Sequence, residues 1–380
     1  MLFQKTYGLE DAIENIKHSL LAGSTSGDGP FTERCEHWLQ DHLSCEHVFM
    51  TSSCTHALEI ALRALQLEPE DEVIIPSFSY PSAANAVLLA GGTVVYSEVE
   101  PVHLNIDPVC MEEKITAKTK AIIVIHYGGI PCDMNVIMQI AGKHHLWVIE
   151  DAAQSFLSQY HNRYAGTIGH FGCFSFHGTK DIIAGEGGAL LVNDPQFVKA
   201  CSTFRNKGTN RDDYLKGLIP FYEWVSVGSS SSPSDILMAL LWSQLEKSKE
   251  IIDQRRKVFE NYQLFFENHS FPHLVSFSKL SAGETTDGTK VNGHLFYLIF
   301  KEEQTAKACV AALKQKDIPL YYHFVPLHES EMGKIFIREN NHFDVEEGLG
   351  QKLVRLPIYP ELTYEMQEHI LMTISEFFGT

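Results

Sequence analysis

Leu146-Trp147-Val148-Ile149-Glu150-Asp151-Ala152-Ala153-Gln154 is the stretch on which the fold turns. Four apolar residues form a strand with no polar face, and the strand runs without a turn into two acids. A strand apolar on both sides belongs in a sheet that helices cover from above and below. Outward from it, short β-rich runs alternate with helix-period runs over residues 48 to 195. Candidate strands are Val48–Thr51, Glu72–Ile75, Thr93–Tyr96, Ala121–His126, Leu146–Glu150, Phe171–Phe176 and Ala189–Val192. Helical spacing appears in Ala57-Leu58-Ile60-Ala61-Leu62-Leu65 and in Met134-Ile137-Ile140-Ala141. This pattern predicts an α/β domain with a mostly parallel sheet, whose ligands bind at the carboxyl ends of the strands.

The serine-rich run Ser226–Asp235 resembles a linker, but Asp235 precedes the helix pattern Ile236-Leu237-Ala239-Leu240-Leu241-Leu245. Ser234-Asp235 therefore reads as a helix cap. A long helix continues through Ile251 and Arg255 to Leu264 and hands over to a smaller C-terminal α+β domain. Its expected strands are Leu295–Phe300 and Leu320–Phe324, with a helix over Thr305–Lys314. The division falls at 1–250 and 251–380, and Gly283–Gly288 reads as a surface loop.

With 44% apolar residues, the 380-residue chain has material for a large core. Thirty basic residues stand against 48 acidic ones, a formal charge of −18. Such a surface repels nucleic acid and anionic membranes, so neither is an expected partner. Eight scattered cysteines, with no Cys-x-x-Cys pair, read as buried free thiols in a reducing compartment. No run approaches the ~18 apolar residues of a bilayer span, and the start lacks a signal-peptide core. A cytoplasmic location is expected.

Lys180 ends Ser175-Phe176-His177-Gly178-Thr179-Lys180, just before Gly185-Glu186-Gly187-Gly188. An acid closing an apolar strand, paired with a lysine among small residues and hydroxyls, suits pyridoxal 5′-phosphate (PLP). The amine binds the cofactor aldehyde covalently, and the carboxylate keeps the pyridine nitrogen protonated so that the ring accepts electrons. Ser52-Ser53-Cys54-Thr55 lies between a strand and a helix start, as an anion site or as an ordinary cap. Tyr80, just past a strand, offers a stacking ring or a cover for the core. Arg205–Arg211 is the one basic cluster, either a solvated loop or a site for a carboxylate or diphosphate. The histidines (His126, His144-His145, His323, His328) lack metal-ligand spacing, so no metal is expected.

Ser53-Cys54-Thr55, Pro76-Ser77-Phe78, Glu150–Gln154, Phe174-Ser175-Phe176-His177-x-x-Lys180 and Gly185–Gly188, in this order, resemble the DegT/DnrJ sugar aminotransferases of PLP fold type I. The resemblance runs from Gly27-Asp28-Gly29-Pro30-Phe31-Thr32 to Arg355-Leu356-Pro357. Four phrases are most similar to members that aminate C4 of a dTDP-linked 4-keto-6-deoxyhexose. They are Ser53-Cys54-Thr55, Gly166-Thr167-Ile168-Gly169-His170, Lys207-Gly208-Thr209-Asn210-Arg211 and Pro326-Leu327-His328.

The resemblance implies Lys180 as covalent anchor and proton carrier, Asp151 on the pyridine nitrogen, Gln154 on the ring hydroxyl and Tyr80 on the ring face. It implies Cys54, Thr55 and Ser175 at the phosphate, and Lys207, Arg211, His323 and His328 at the substrate. Ser230 stands where many relatives place a phosphate-binding asparagine of the partner subunit, in a homodimer with shared active sites. L-glutamate would give the amino group, and a nucleotide-linked keto sugar would take it. Amination at C3 of a 3-keto sugar is the nearest alternative. A non-catalytic PLP-fold regulatory protein is another, and it predicts loss of Lys180 or Asp151.

Overall fold

A computed structural model describes residues 1–280 and 286–379. Helices α1 (Glu10–Leu21) and α2 (Pro30–Leu43) precede a seven-stranded sheet. The strands are β1 (Val48–Thr51), β2 (Glu72–Pro76), β3 (Thr93–Ser97), β4 (Thr119–Ile125), β5 (Trp147–Asp151), β8 (Phe171–Ser175) and β9 (Gly188–Val192). A small hairpin, β6 (Gln159–Tyr160) and β7 (Arg163–Tyr164), lies between β5 and β8. The order is β1-β9-β8-β5-β4-β2-β3, and β9 alone runs against the rest. Six strands therefore end at one edge, where the first turn of β9 also begins.

Helices α3 (Cys54–Ala64), α4 (Pro81–Ala90), α5 (Pro108–Glu113) and α6 (Met134–His144) connect these strands. The double-sided burial expected from the sequence is realised residue by residue. Val73, Ile75, Ile123 and Ile149 pack in one core with α3 and α4. Ile74, Ile122, Val124 and Val148, their neighbours along the same strands, pack in another with α6. This is the period of two that strands impose.

After the sheet come α7 (Val198–Arg205), α8 (Arg211–Leu215), α9 (Asp235–Leu245) and α10 (Ser248–Asn268). The single long helix expected here is two, broken at Glu246–Lys247, where no proline or glycine marks the break. Ser234 caps α9 through Ile236 N–H at 3.3 Å. Asp235 instead reaches the start of α2 and accepts from Thr32 N–H at 2.8 Å.

A second, antiparallel sheet follows, ordered β10 (Leu274–Phe277), β11 (Phe296–Phe300), β13 (Leu353–Leu356) and β12 (Tyr321–Tyr322). Helices α11 (Glu303–Gln315) and α13 (Tyr364–Phe378), with α10, cover one face through Phe296, Leu298, Phe300, Val354 and Leu356. The short α12 (Leu349–Lys352) leads into β13. The other face, with Tyr297, Ile299 and Leu353, packs on Phe78 and Tyr127 at the carboxyl edge of the large sheet. The strand expected at Leu320–Phe324 is only two residues long, and residues 283–285 of the expected loop lie outside the described ones. All eight cysteines are free thiols, seven of them buried. No helix among the described residues is long and apolar enough to cross a membrane.

Candidate active site

The end of β5 presents two acids to opposite faces. Glu150, on the α6 face, accepts from the N–H groups of Gly166 (2.8 Å), Ile168 (2.6 Å) and Gly169 (2.5 Å). It also meets His126 Nε2 at 2.9 Å, with both side chains fully buried. His126 Nδ1 accepts from Cys132 N–H, so Nε2 carries the proton and donates to Glu150. Every oxygen of Glu150 is thereby occupied.

Asp151, on the α3 face, is different. Its Oδ1 accepts from Ala153 N–H at 3.0 Å and from the Cys54 thiol at 3.8 Å. Oδ2 has no hydrogen-bond partner among the described residues. Burial raises its pKa, against the downward pull of Ala153 N–H and Lys180. A buried carboxylate with a free oxygen is set to receive a cation.

Lys180 sits on a loop folded back on itself. Gly178 N–H donates to Gly185 O at 2.7 Å, Ala184 N–H to Phe176 O at 2.7 Å, and Lys180 N–H to His177 O at 2.9 Å. The next residue, Asp181, is anchored by Arg255 (2.8 Å), His294 (3.0 Å) and Asn292 (3.0 Å). This fixes the lysine backbone from the small sheet's side. Burial lowers the Lys180 pKa, and the Asp151 charge opposes that shift. The amine is thus moved toward the neutral form that can act as a base.

Helix α3 starts at the same edge. Ser53 caps it by accepting from His56 N–H at 3.1 Å. The N–H groups of Cys54 and Thr55, the first of the helix, point out of it without partners among the described residues. Gly188 lies opposite both Thr51 and Ser175 in the sheet register. A Cβ on Gly188 would come within 2.5 Å of the Cys54 nitrogen. Only glycine lets β9 pass this close beneath the helix start. Thr55 Oγ1 and Ser82 Oγ pair at 2.7 Å, and Ser175 Oγ has one long contact, 3.5 Å from His177 N–H.

The other sequence candidates fall into two groups. Tyr80 caps the start of α4 and is 64% exposed, which excludes a role as core cover. Its ring lies 6.4 Å from that of Phe324. Gln154 is buried, and its amide oxygen accepts from Gly128 N–H at 2.8 Å, leaving the NH2 to offer a ligand. His323 Nδ1 meets the Tyr127 hydroxyl at 2.7 Å, and burial holds its pKa well below the usual histidine range. These residues share the edge with Asp151 and Lys180.

The second group has other engagements. Arg211 pairs with Asp28 at 3.0 Å, alongside the buried Arg205. Lys207 and Ser230 are exposed, and Ser230 bridges to Asn206. His328 is buried, stacked on Phe343 at 3.8 Å, and burial lowers its pKa to about 4.

Sequence reasoning missed Tyr127, His294, Asp181 and Arg355. Tyr127 had a signal, since it follows β4 as Tyr80 follows β2. Arg355 lies on the second sheet and His294 just before its strand β11, and nothing local announces their approach.

The family model described as "DegT/DnrJ/EryC1/StrS aminotransferase family" matches residues 7–375. The spore coat polysaccharide biosynthesis protein SpsC of Bacillus subtilis (strain 168) is 28% identical over 375 residues, covering 97% of this chain and 94% of that protein. GDP-perosamine synthase of Escherichia coli O157:H7 is 29% identical over 370 residues, covering 96% and 95%. The aminotransferase from Psychrobacter cryohalolentis superposes with a TM-score of 0.89 at 23% identity, over 97% of each chain. With a match that spans nearly its whole length, the chain belongs to the DegT/DnrJ/EryC1/StrS family and is a PLP-dependent sugar aminotransferase.

Proposed function

We propose that the enzyme moves the amino group of L-glutamate to C4 of a dTDP-4-dehydro-6-deoxyhexose. The products are 2-oxoglutarate and a dTDP-4-amino-4,6-dideoxyhexose of galacto configuration. The observation that carries transamination is the pairing at the sheet edge: Asp151, a buried acid with one oxygen unpaired, and a half-buried Lys180 shifted toward neutrality. The choice of C4 and of dTDP rests on the phrases around Gly166–His170, Lys207–Arg211 and Pro326–His328. An amino-sugar pathway in the cytoplasm would be its setting.

The residues present fit PLP. Asp151 has a free oxygen for a protonated ring nitrogen, and the first amides of α3 await an anion. When bound, PLP supplies an aldehyde carbon and an electron-withdrawing ring. Asp151 would hold the proton on the ring nitrogen, and Gln154 would donate its NH2 to the ring hydroxyl. Tyr80 would lie on the ring face. The N–H groups of Cys54 and Thr55, with the hydroxyls of Thr55 and Ser175, would hold the phosphate, and Ser230 would reach that of the partner subunit. Lys180 Nζ would carry the proton taken from the amino-bearing carbon. His323, His328, Lys207 and Arg211 would serve the sugar nucleotide, with the large domain over 1–250 and the small one over 251–380.

Incubation with glutamate and a panel of dTDP-, GDP- and UDP-linked 3- and 4-keto-6-deoxyhexoses tests this. The expected result, read by NMR, is a 4-amino product from the dTDP-4-keto sugar. Turnover confined to a 3-keto sugar or to a GDP-linked one would refute the assignment.

A further inference from the structure

Asn292 belongs to none of the sequence motifs, yet it is fully buried on the approach to β11. Its Nδ2 donates twice, to the Gln154 carbonyl at 2.9 Å and to Asp181 Oδ2 at 3.0 Å. Its Oδ1 accepts from His294 N–H at 3.0 Å. Both donors and the acceptor are engaged, so turning the amide over would lose all three bonds. One side chain thus hydrogen-bonds to Gln154 and to the residue next to Lys180.

Both partners are held from their far sides as well. Asp181 Oδ1 pairs with Arg255 at 2.8 Å, and its side chain is only 3% exposed. The Gln154 amide oxygen accepts from Gly128 N–H at 2.8 Å. Ser158 Oγ donates to Gly129 O at 2.7 Å and accepts from Asn292 N–H at 3.1 Å. Gly129 has a φ of +85°, and a Cβ there would collide with Asn292 Oδ1. Only glycine leaves room for the amide. Backbone bonds between Lys290 and Gln159, 2.8 Å in each direction, hold the approach to β11 alongside this turn.

We propose that Asn292 is a positioning residue that sets the spacing between Lys180 and Gln154. PLP carries its aldehyde and its ring hydroxyl on neighbouring ring carbons. The amine that joins the first and the amide that meets the second must therefore keep one relation to each other. The two arrive on separate loops, one after β5 and one after β8, and Asn292 ties both from a segment on its way to the second sheet. The ring hydroxyl also shares the proton of the lysine nitrogen, so its bond to Gln154 decides how firmly that proton is held. Fully buried, Asn292 acts through these two residues and not on the substrate. This rests on Lys180 and Gln154 meeting those two groups of the cofactor, and not on which sugar is aminated.

The test is a pH titration of the PLP-loaded protein without substrate, in which the visible absorbance of the lysine-bound cofactor follows the proton on the lysine nitrogen. Asn292→Ala frees both loops, so Gln154 draws less on the ring hydroxyl and the proton is held more firmly. The pKa of that nitrogen should rise by roughly one unit. PLP affinity should fall roughly 10-fold, as for the loss of a buried hydrogen-bonding partner. Gln154→Ala is the reference and should raise the pKa in the same direction. A lowered Tm with an unmoved pKa in Asn292→Ala, beside a raised one in Gln154→Ala, overturns the proposal and leaves the reading of Gln154 standing. If Gln154→Ala leaves the pKa where it is, Gln154 is not on the hydroxyl, and the proposal falls with that reading. Should Asn292→Ala fail to fold, Asn292→Ser, whose donor is too short to reach both partners, decides by the same titration.

Discussion

Asp151 has one oxygen held by Ala153 N–H and Cys54, and one left over. Asparagine at this position keeps the first contact and the shape, but it cannot hold a proton on a ring nitrogen. Asp151→Asn should therefore fold and still bind PLP, while kcat at saturating cofactor falls about 100-fold or more, as when a preorganised charge partner is removed. A near wild-type rate would reduce Asp151 to a packing acid. Its neighbour Glu150 shows what was legible at this scale. Two adjacent acids at a strand end must face opposite sides, and that follows from the sequence. Which side holds the helix start does not, because α3 lies about a hundred residues away along the chain. The motif around Lys180 singled out that lysine from local sequence alone, and its loop lies at the same sheet edge as Asp151. Arg355 was quoted only within the closing phrase, since its place depends on a sheet that packs from the opposite side.

The elements were more readily foreseen than their pairing. All seven strands of the large sheet appear where apolar runs predicted them, because a double-sided apolar strand leaves a strong signal. That β9 inserts antiparallel between β1 and β8 had no such signal, since direction is set by the path of the connecting chain. The consequence falls on Gly188, which meets the start of α3 from below. Gly188→Ala would push its Cβ into the backbone of Ser53 and Cys54, where no flexible side chain can yield. The helix start must shift, and with it the amides of Cys54 and Thr55. PLP affinity, followed by the cofactor's absorbance on titration, should drop at least ~10-fold, with a lowered Tm. An unchanged affinity would show that the phosphate is held elsewhere. The break between α9 and α10 was invisible for a related reason. Propensity is continuous across Leu245–Ser248, so tertiary packing alone sets the turn.

At the scale of the whole molecule, two contacts govern how its parts hold together. Glu346, fully buried between the sheets, accepts from Ser77 Oγ at 2.6 Å and Val99 N–H at 2.9 Å. Burial raises its pKa from 4.5 to about 7, against these two bonds. A folded value above the unfolded one means the stability is full below about 4.5 and is lost as pH rises through about 7. At full ionisation the loss is roughly 3 kcal/mol. Glu346→Gln keeps both accepted bonds and cannot ionise, so its Tm should fall less than that of wild type between pH 6 and pH 8. Equal slopes would exclude Glu346 as a source of the pH dependence. The second contact is one we propose, with another copy of the chain. Leu218, Phe221, Trp224 and Val227 project between α8 and Ser230, with Phe221 82% and Trp224 77% exposed. Bridges from Thr209 to Trp224 and from Asn206 to Ser230 tie this segment to the basic loop Lys207–Arg211, making one unit. So large an apolar projection is rarely left in water, and a two-fold partner would cover it while bringing Ser230 toward a second site. Sedimentation at assay concentration should show a dimer, with an interface above ~2,000 Å² if it is obligate. Phe221→Glu with Trp224→Glu should give a folded monomer, by circular dichroism, that has lost most activity and binds PLP more weakly. A wild-type protein that is monomeric and fully active would leave each chain with its own complete site, and the exposed segment would need another partner.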